Sequence, residues 1–96
     1  MHAIDGGLVT LSRFPILESE NLTYSVGVFS DSLAAKGALY TKIEIKGEHM
    51  LVFNTHTNAS YVSTDVREVK ASLEARELQT IELRDFINVK IDLYRE

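Results

Sequence analysis

Three histidines, His2, His49 and His56, are the side chains of this sequence best suited to exchange a proton near neutral pH. None has the spacing that places two metal ligands on one helix face, either with another histidine or with a carboxylate. His2 stands among the first residues and His49 flanks a turn, so both read as solvated. His56 is different because it closes the stretch Phe53-Asn54-Thr55-His56-Thr57-Asn58. Strand alternation puts Asn54, His56 and Asn58 on one side of that stretch. An imidazole flanked by carboxamides can exchange a proton with a leaving oxygen, or it can complete a polar network at the edge of a core. Lys36-Gly37 supplies the second candidate, a lysine able to meet an anion beside a residue small enough to leave room next to His56. The same pair also reads as a loop lysine and a turn glycine. Asn21-Leu22-Thr23 and Asn58-Ala59-Ser60 match the glycosylation acceptor pattern, but with no leader in view they read as coincidence. Gly6-Gly7 is followed by neither a lysine nor a helix, so it reads as the start of a strand rather than a phosphate loop.

Composition narrows the chemistry further. The absence of cysteine removes a disulfide framework, a thiolate zinc site and a cysteine nucleophile. With 14 acidic against 10 Lys and Arg residues the net charge is −4. That balance disfavours an extended nucleic-acid surface, which needs clustered cations, yet it leaves space for a local anion site. The 45% apolar and 25% charged content is that of an ordinary globular protein, and 96 residues form one domain at most, residues 1–96. No apolar run approaches the roughly 20 residues of a membrane span, and residues 1–7 lack a basic-then-apolar leader, so a cytoplasmic location is the default expectation.

The elements that must position these residues can be read from periodicity. Residues 7–13 alternate as a strand, which Phe14-Pro15 ends by fixing φ and removing a donor. Residues 16–26 read as an extended, polar edge segment, and residues 27–36 as a surface loop. The clearest unit is a hairpin, residues 37–45 and 49–57, separated by Lys46-Gly47-Glu48. If Lys46-Gly47 is a two-residue turn, Ile45 faces Glu48, Ile43 faces Met50, Thr41 faces Val52, Leu39 faces Asn54 and Gly37 faces His56. Met50, Val52, Asn54 and His56 then share one face, and Leu51, Phe53 and Thr55 the other. Residues 64–87, free of Gly and Pro, predict a helix capped by Asp65 with Glu68, whose apolar stripe is Leu73, Ala75, Leu78, Leu83, Phe86 and Ile87. Residues 89–94 alternate again and predict a further strand. One helix shields only one face of a sheet, so the apolar residues on the other face predict a missing layer, supplied by more chain or by a partner.

Four blocks of this sequence resemble the endonuclease/exonuclease/phosphatase superfamily, with neutral sphingomyelinase as the branch they look most like. They are residues 6–16 (Gly-Gly-Leu-Val-Thr-Leu-Ser-Arg-Phe-Pro-Ile), residues 36–43 (Lys-Gly-Ala-Leu-Tyr-Thr-Lys-Ile), residues 53–60 (Phe-Asn-Thr-His-Thr-Asn-Ala-Ser), and the helical set Arg76, Gln79, Glu82-Leu83 and Phe86-Ile87. The resemblance implies an α+β chain forming part of a four-layer α/β/β/α sandwich, mostly antiparallel strands with one long helix. It implies Mg²⁺-dependent hydrolysis of a phosphodiester, sphingomyelin to ceramide and phosphocholine. His56 matches the histidine of a Thr-His motif that touches the scissile phosphate, which makes it the expected catalytic group. Asn54, Asn58 and Lys36 are the expected substrate-binding residues.

The family's metal-binding glutamate, its Gly-Asp-x-Asn strand and its terminal Ser-Asp-His find no match here. The Mg²⁺ ligands are therefore expected outside this chain, which reads as a central segment inactive alone. Two other readings stay open: a catalytically silent relic or binding module of the same fold, and a nuclease or phosphatase branch of the superfamily.

Overall fold

Residues 37–45 are apolar or β-branched at most positions on both sides of the strand, a pattern that demands cover above and below. In the computed structural model, which describes residues 2–5, 7–25, 36–57 and 65–96, they form the central strand of a three-stranded sheet. The elements run β1 (His2–Asp5), β2 (Leu8–Leu11), β3 (Ile16–Thr23), β4 (Gly37–Ile45), β5 (Glu48–Thr55) and α1 (Val66–Arg95). β3, β4 and β5 pair antiparallel in that order, and β1 and β2 form a separate antiparallel pair. The class is α+β, as expected. The loop expected over residues 27–36 lies outside the described residues except for Lys36.

The hairpin register follows from its turn. Lys46 (φ 51°) and Gly47 (φ 84°) both take positive φ, the two-residue geometry whose twist matches that of paired strands. Ile45 faces Glu48, Ile43 faces Met50, Thr41 faces Val52 and Leu39 faces Asn54, the register expected for a two-residue turn. A second antiparallel pair precedes this sheet: Asp5 pairs with Leu8, and Gly7, at φ 83°, lies between two strands rather than at the entry to one. β2 ends at Leu11, ahead of the expected Arg13, because the Ser12 hydroxyl accepts from Phe14 N (3.0 Å) and donates to Phe14 O (2.9 Å), turning the chain before Pro15.

Each face of the three-stranded sheet has its own cover. On one side Ala38 and Tyr40 are buried against Phe86 of α1, with Leu22, Leu51, Phe53 and Leu83 around them. The Tyr40, Phe53 and Phe86 rings meet in tilted or edge-to-face pairs with centroids 5.2–6.3 Å apart. On the other side Leu39, Thr41 and Ile43 are buried, and the β1–β2 pair lies over β4 and β5. The missing layer expected from sequence is thus supplied in part by the chain's own first residues. β1 went unrecognised because a four-residue strand is too short to show a period.

The helix departs from expectation in two ways. It continues to Arg95, so residues 89–94 are helical rather than a strand. Phe86, Lys90 and Tyr94 are four apart and share a side, and tertiary contacts hold them there. Lys90 Nζ meets Glu20 Oε1 at 2.8 Å and sits 5.0 Å from the Tyr40 ring centroid, while Tyr94 reaches His49. The buried side of the helix is Ser72, Ala75, Gln79 and Phe86, whereas Leu73 and Leu78 of the expected stripe are exposed. The side chains buried in the first half of α1 are small or polar, so a reading by hydropathy selects the wrong flank. Asp65 caps the start as expected, accepting from Arg67 N at 2.9 Å.

Candidate functional site

The open end of the β4–β5 hairpin gathers polar residues that are distant in sequence. Thr55, the last residue of β5, donates its hydroxyl proton to Gly37 O (2.8 Å). The Tyr24 hydroxyl lies 2.6 Å from Thr55 Oγ1 and serves as donor there, since Thr55's one proton is used. Burial holds the Tyr24 phenol above its usual range, and the nearby Glu82 carboxylate pushes it the same way. Glu82, on α1, accepts from Ser25 N (3.2 Å) and Ser25 Oγ (2.5 Å), which ties the chain after β3 to the helix. Tyr24 N donates to Lys36 O at 2.8 Å, closing the same end through the backbone.

His56 follows Thr55 and its ring is exposed. Its Nδ1 lies 3.3 Å from Lys36 Nζ, so two of the expected site residues come together. Asn54, one alternation earlier, points to the opposite sheet and donates Nδ2 to Val9 O (3.2 Å), linking β5 to β2. Asn58 lies outside the described residues. Gly37 does make room, but for a different neighbour than expected: a Cβ there would collide with the Leu22 carbonyl oxygen of β3. Tyr24, Thr55 and Glu82 were missed in the sequence. Alternation places Thr55 on the face opposite His56, and Glu82, which stands in the helical block of the resemblance, carries no sequence signal that ties it to Ser25.

Two cavities lie elsewhere. One of about 70 Å³ is lined by Glu18, Tyr40, Lys42, Lys90, Leu93 and Tyr94, and a groove of about 230 Å³ by Thr80, Leu83, Arg84, Ile87 and Asn88. His56 lines neither, and its site is an exposed polar rim. Among the described residues no cluster of three His, Asp or Glu side chains can hold a metal ion, and no helix is long and apolar enough to cross a membrane. The residues at this rim therefore do not fit a Mg²⁺ site by themselves. Lys36 is a cation, Asn54 spends its amide on Val9, and the carboxylate of Glu82 is engaged by Ser25.

An α+β sheet-and-helix unit with a histidine-lysine pair at one rim is what the coordinates define. Over 79 residues, 72% of this chain, it is 42% identical to a sphingomyelinase of Dictyostelium discoideum. Over 86 residues, 90% of the chain, it is 34% identical to a Bacillus cereus protein named sphingomyelinase C, and over 57 residues it is 39% identical to a Staphylococcus aureus phospholipase C. These similarities support a sphingomyelinase-like family for the chain. It spans only 17% of the Dictyostelium relative and 25% of the Bacillus one. No family model matches the sequence, and no solved structure matches the fold.

Proposed function

We propose that this chain is part of a phosphodiester hydrolase of the sphingomyelinase type, within the endonuclease/exonuclease/phosphatase superfamily, and that His56 is the group that meets the scissile phosphate. The observation that carries this reading is the pairing of His56 with Lys36 at an exposed rim, in a chain whose relatives are named for sphingomyelin and phospholipid cleavage. The positive charge of Lys36 beside the ring suits an anionic ester, and the imidazole can stabilise charge building on the leaving oxygen. Asn54 supports the site by fixing β5 to β2, and Asn58 is assigned as a further polar group for the phosphate by the resemblance alone.

In this reading the remaining layer of the four-layer sandwich and the Mg²⁺ ligands come from residues outside the chain. The metal would supply Lewis-acid stabilisation of phosphoryl oxygens. The chain's own residues hold the ester and offer hydrogen bonds to it.

The test is hydrolysis of sphingomyelin vesicles by the complete natural polypeptide that carries these residues, with Mg²⁺ and with chelator. His56→Ala should lower turnover by at least about 100-fold, the usual contribution of a positioned acid-base group. Turnover unchanged in His56→Ala would overturn the assignment. The absence of hydrolysis in the wild type, with Mg²⁺ present, would favour a non-catalytic binding module.

A further inference from the structure

We infer that Lys36 is a positioning residue that fixes the tautomer of His56, leaving Nδ1 bare and the ring proton on Nε2. A lysine ammonium carries three donors and no acceptor, so its 3.3 Å contact with Nδ1 is a hydrogen bond only if Nδ1 offers its lone pair. In a neutral imidazole the remaining proton then resides on Nε2, on the side of the ring turned away from Lys36. Because the ring is exposed, that N–H is available at the sheet's rim.

Lys36 itself is set by the fold. Its carbonyl accepts from Tyr24 N at 2.8 Å, and the Gly37 that follows is locked between Leu22 and Thr55. The lysine thus starts from a fixed backbone position. The pair consequently presents one ring donor, Nε2–H, to a ligand oxygen on the side of the imidazole away from the ammonium. Bound this way, His56 gives a hydrogen bond through Nε2 and does not accept one there.

His49 supplies the internal contrast. Its Nδ1 lies 3.2 Å from the Tyr94 hydroxyl, which can donate or accept, so no tautomer is imposed.

The use of the Nε2–H at a phosphate ester rests on the function proposed above, whereas the tautomer does not. The experiment is long-range ¹H–¹⁵N correlation NMR on the chain labelled at histidine, at a pH high enough to leave the rings neutral. In the wild type, His56 Nδ1 should show the shift of an unprotonated acceptor nitrogen and Nε2 that of a protonated one. In Lys36→Met the two shifts should move toward each other as both tautomers become populated, with His49 unchanged. Lys36→Arg, which keeps a donor, should restore the wild-type pattern. A wild-type spectrum with Nδ1 protonated or with averaged shifts would overturn the inference, and this reading needs no variant to fold. An unchanged His56 pattern in a folded Lys36→Met chain would overturn it as well. Failure of the function in the hydrolysis assay, with this NMR pattern intact, would remove the ester and leave the tautomer lock standing.

Discussion

The two ends of the β4–β5 hairpin use similar residues under different control. At the turn end, Lys46-Gly47 closes the hairpin within two residues, and the His49 ring stands edge-on to Tyr94 with centroids 5.6 Å apart. At the open end, no short turn joins the strands. Order there comes from Tyr24 meeting Thr55 across 31 positions, Asn54 meeting Val9 across 45 and Ser25 meeting Glu82 across 57. The turn end is determined locally and its histidine has an ambivalent partner. The open end is assembled from four elements, and its histidine has a partner that can only donate. A site for chemistry gains from the second arrangement, because each long-range contact removes freedom from the group that must be aimed.

The sharpest way to break this comparison is to substitute one glycine at each end. Gly37→Ala drives a methyl into the Leu22 carbonyl and must separate β3 from β4, so it should cost about 3 kcal/mol in urea unfolding. Gly47→Ala meets nothing within 4 Å but imposes φ 84° on an L residue, for about 1 kcal/mol. Equal losses at the two positions would show that the open end is no more tightly built than the turn.

A smaller effect is expected from Thr55→Val. This change leaves Gly37 O and the Tyr24 hydroxyl without the shared partner, for about 1–2 kcal/mol, again by urea unfolding. Amide exchange should locate the loss at the starts of β4 and α1's Glu82 contact rather than at Lys46-Gly47.

The last effect shows itself only at alkaline pH and belongs to the aromatic cluster between the ends. Burial, then the hydrogen bond to Glu18 and the charges of Glu18 and Glu20, push the Tyr40 phenol up to about 12. The unfolded chain releases this proton near the ordinary 10.0 and the folded chain only near 12, so between those values the unfolded state holds fewer protons. Stability from this group is therefore complete below about 10 and is lost as pH rises to about 12. Unfolding curves across that window should show a shallower alkaline decline in Tyr40→Phe than in the wild type.

Much of the fold was legible because local rules governed it. The β4–β5 register follows from two residues of turn and the Asp65 cap from one side chain. The strands expected over residues 7–13, 16–26, 37–45 and 49–57 and the helix expected from residue 64 all form, with shifted ends. Where local preference was weak, packing decided. Residues 89–94 alternate over too short a span to exclude a helix, and Lys90 bonding Glu20 and capping the Tyr40 ring keeps them helical. Leu73 and Leu78 lie off the buried side of the helix, which Ser72, Ala75 and Gln79 occupy instead.

The same division holds for the site. That His56 stands at a strand end beside polar residues was determined by the sequence alone, since alternation and the resemblance of its blocks need no coordinates. Only the tertiary structure brought Lys36 to Nδ1, Tyr24 to Thr55 and Glu82 to Ser25. The physical reason is range: strand and turn preferences act over a few residues, whereas a hydrogen bond between side chains 20 to 57 positions apart exists only after sheet and helix have packed.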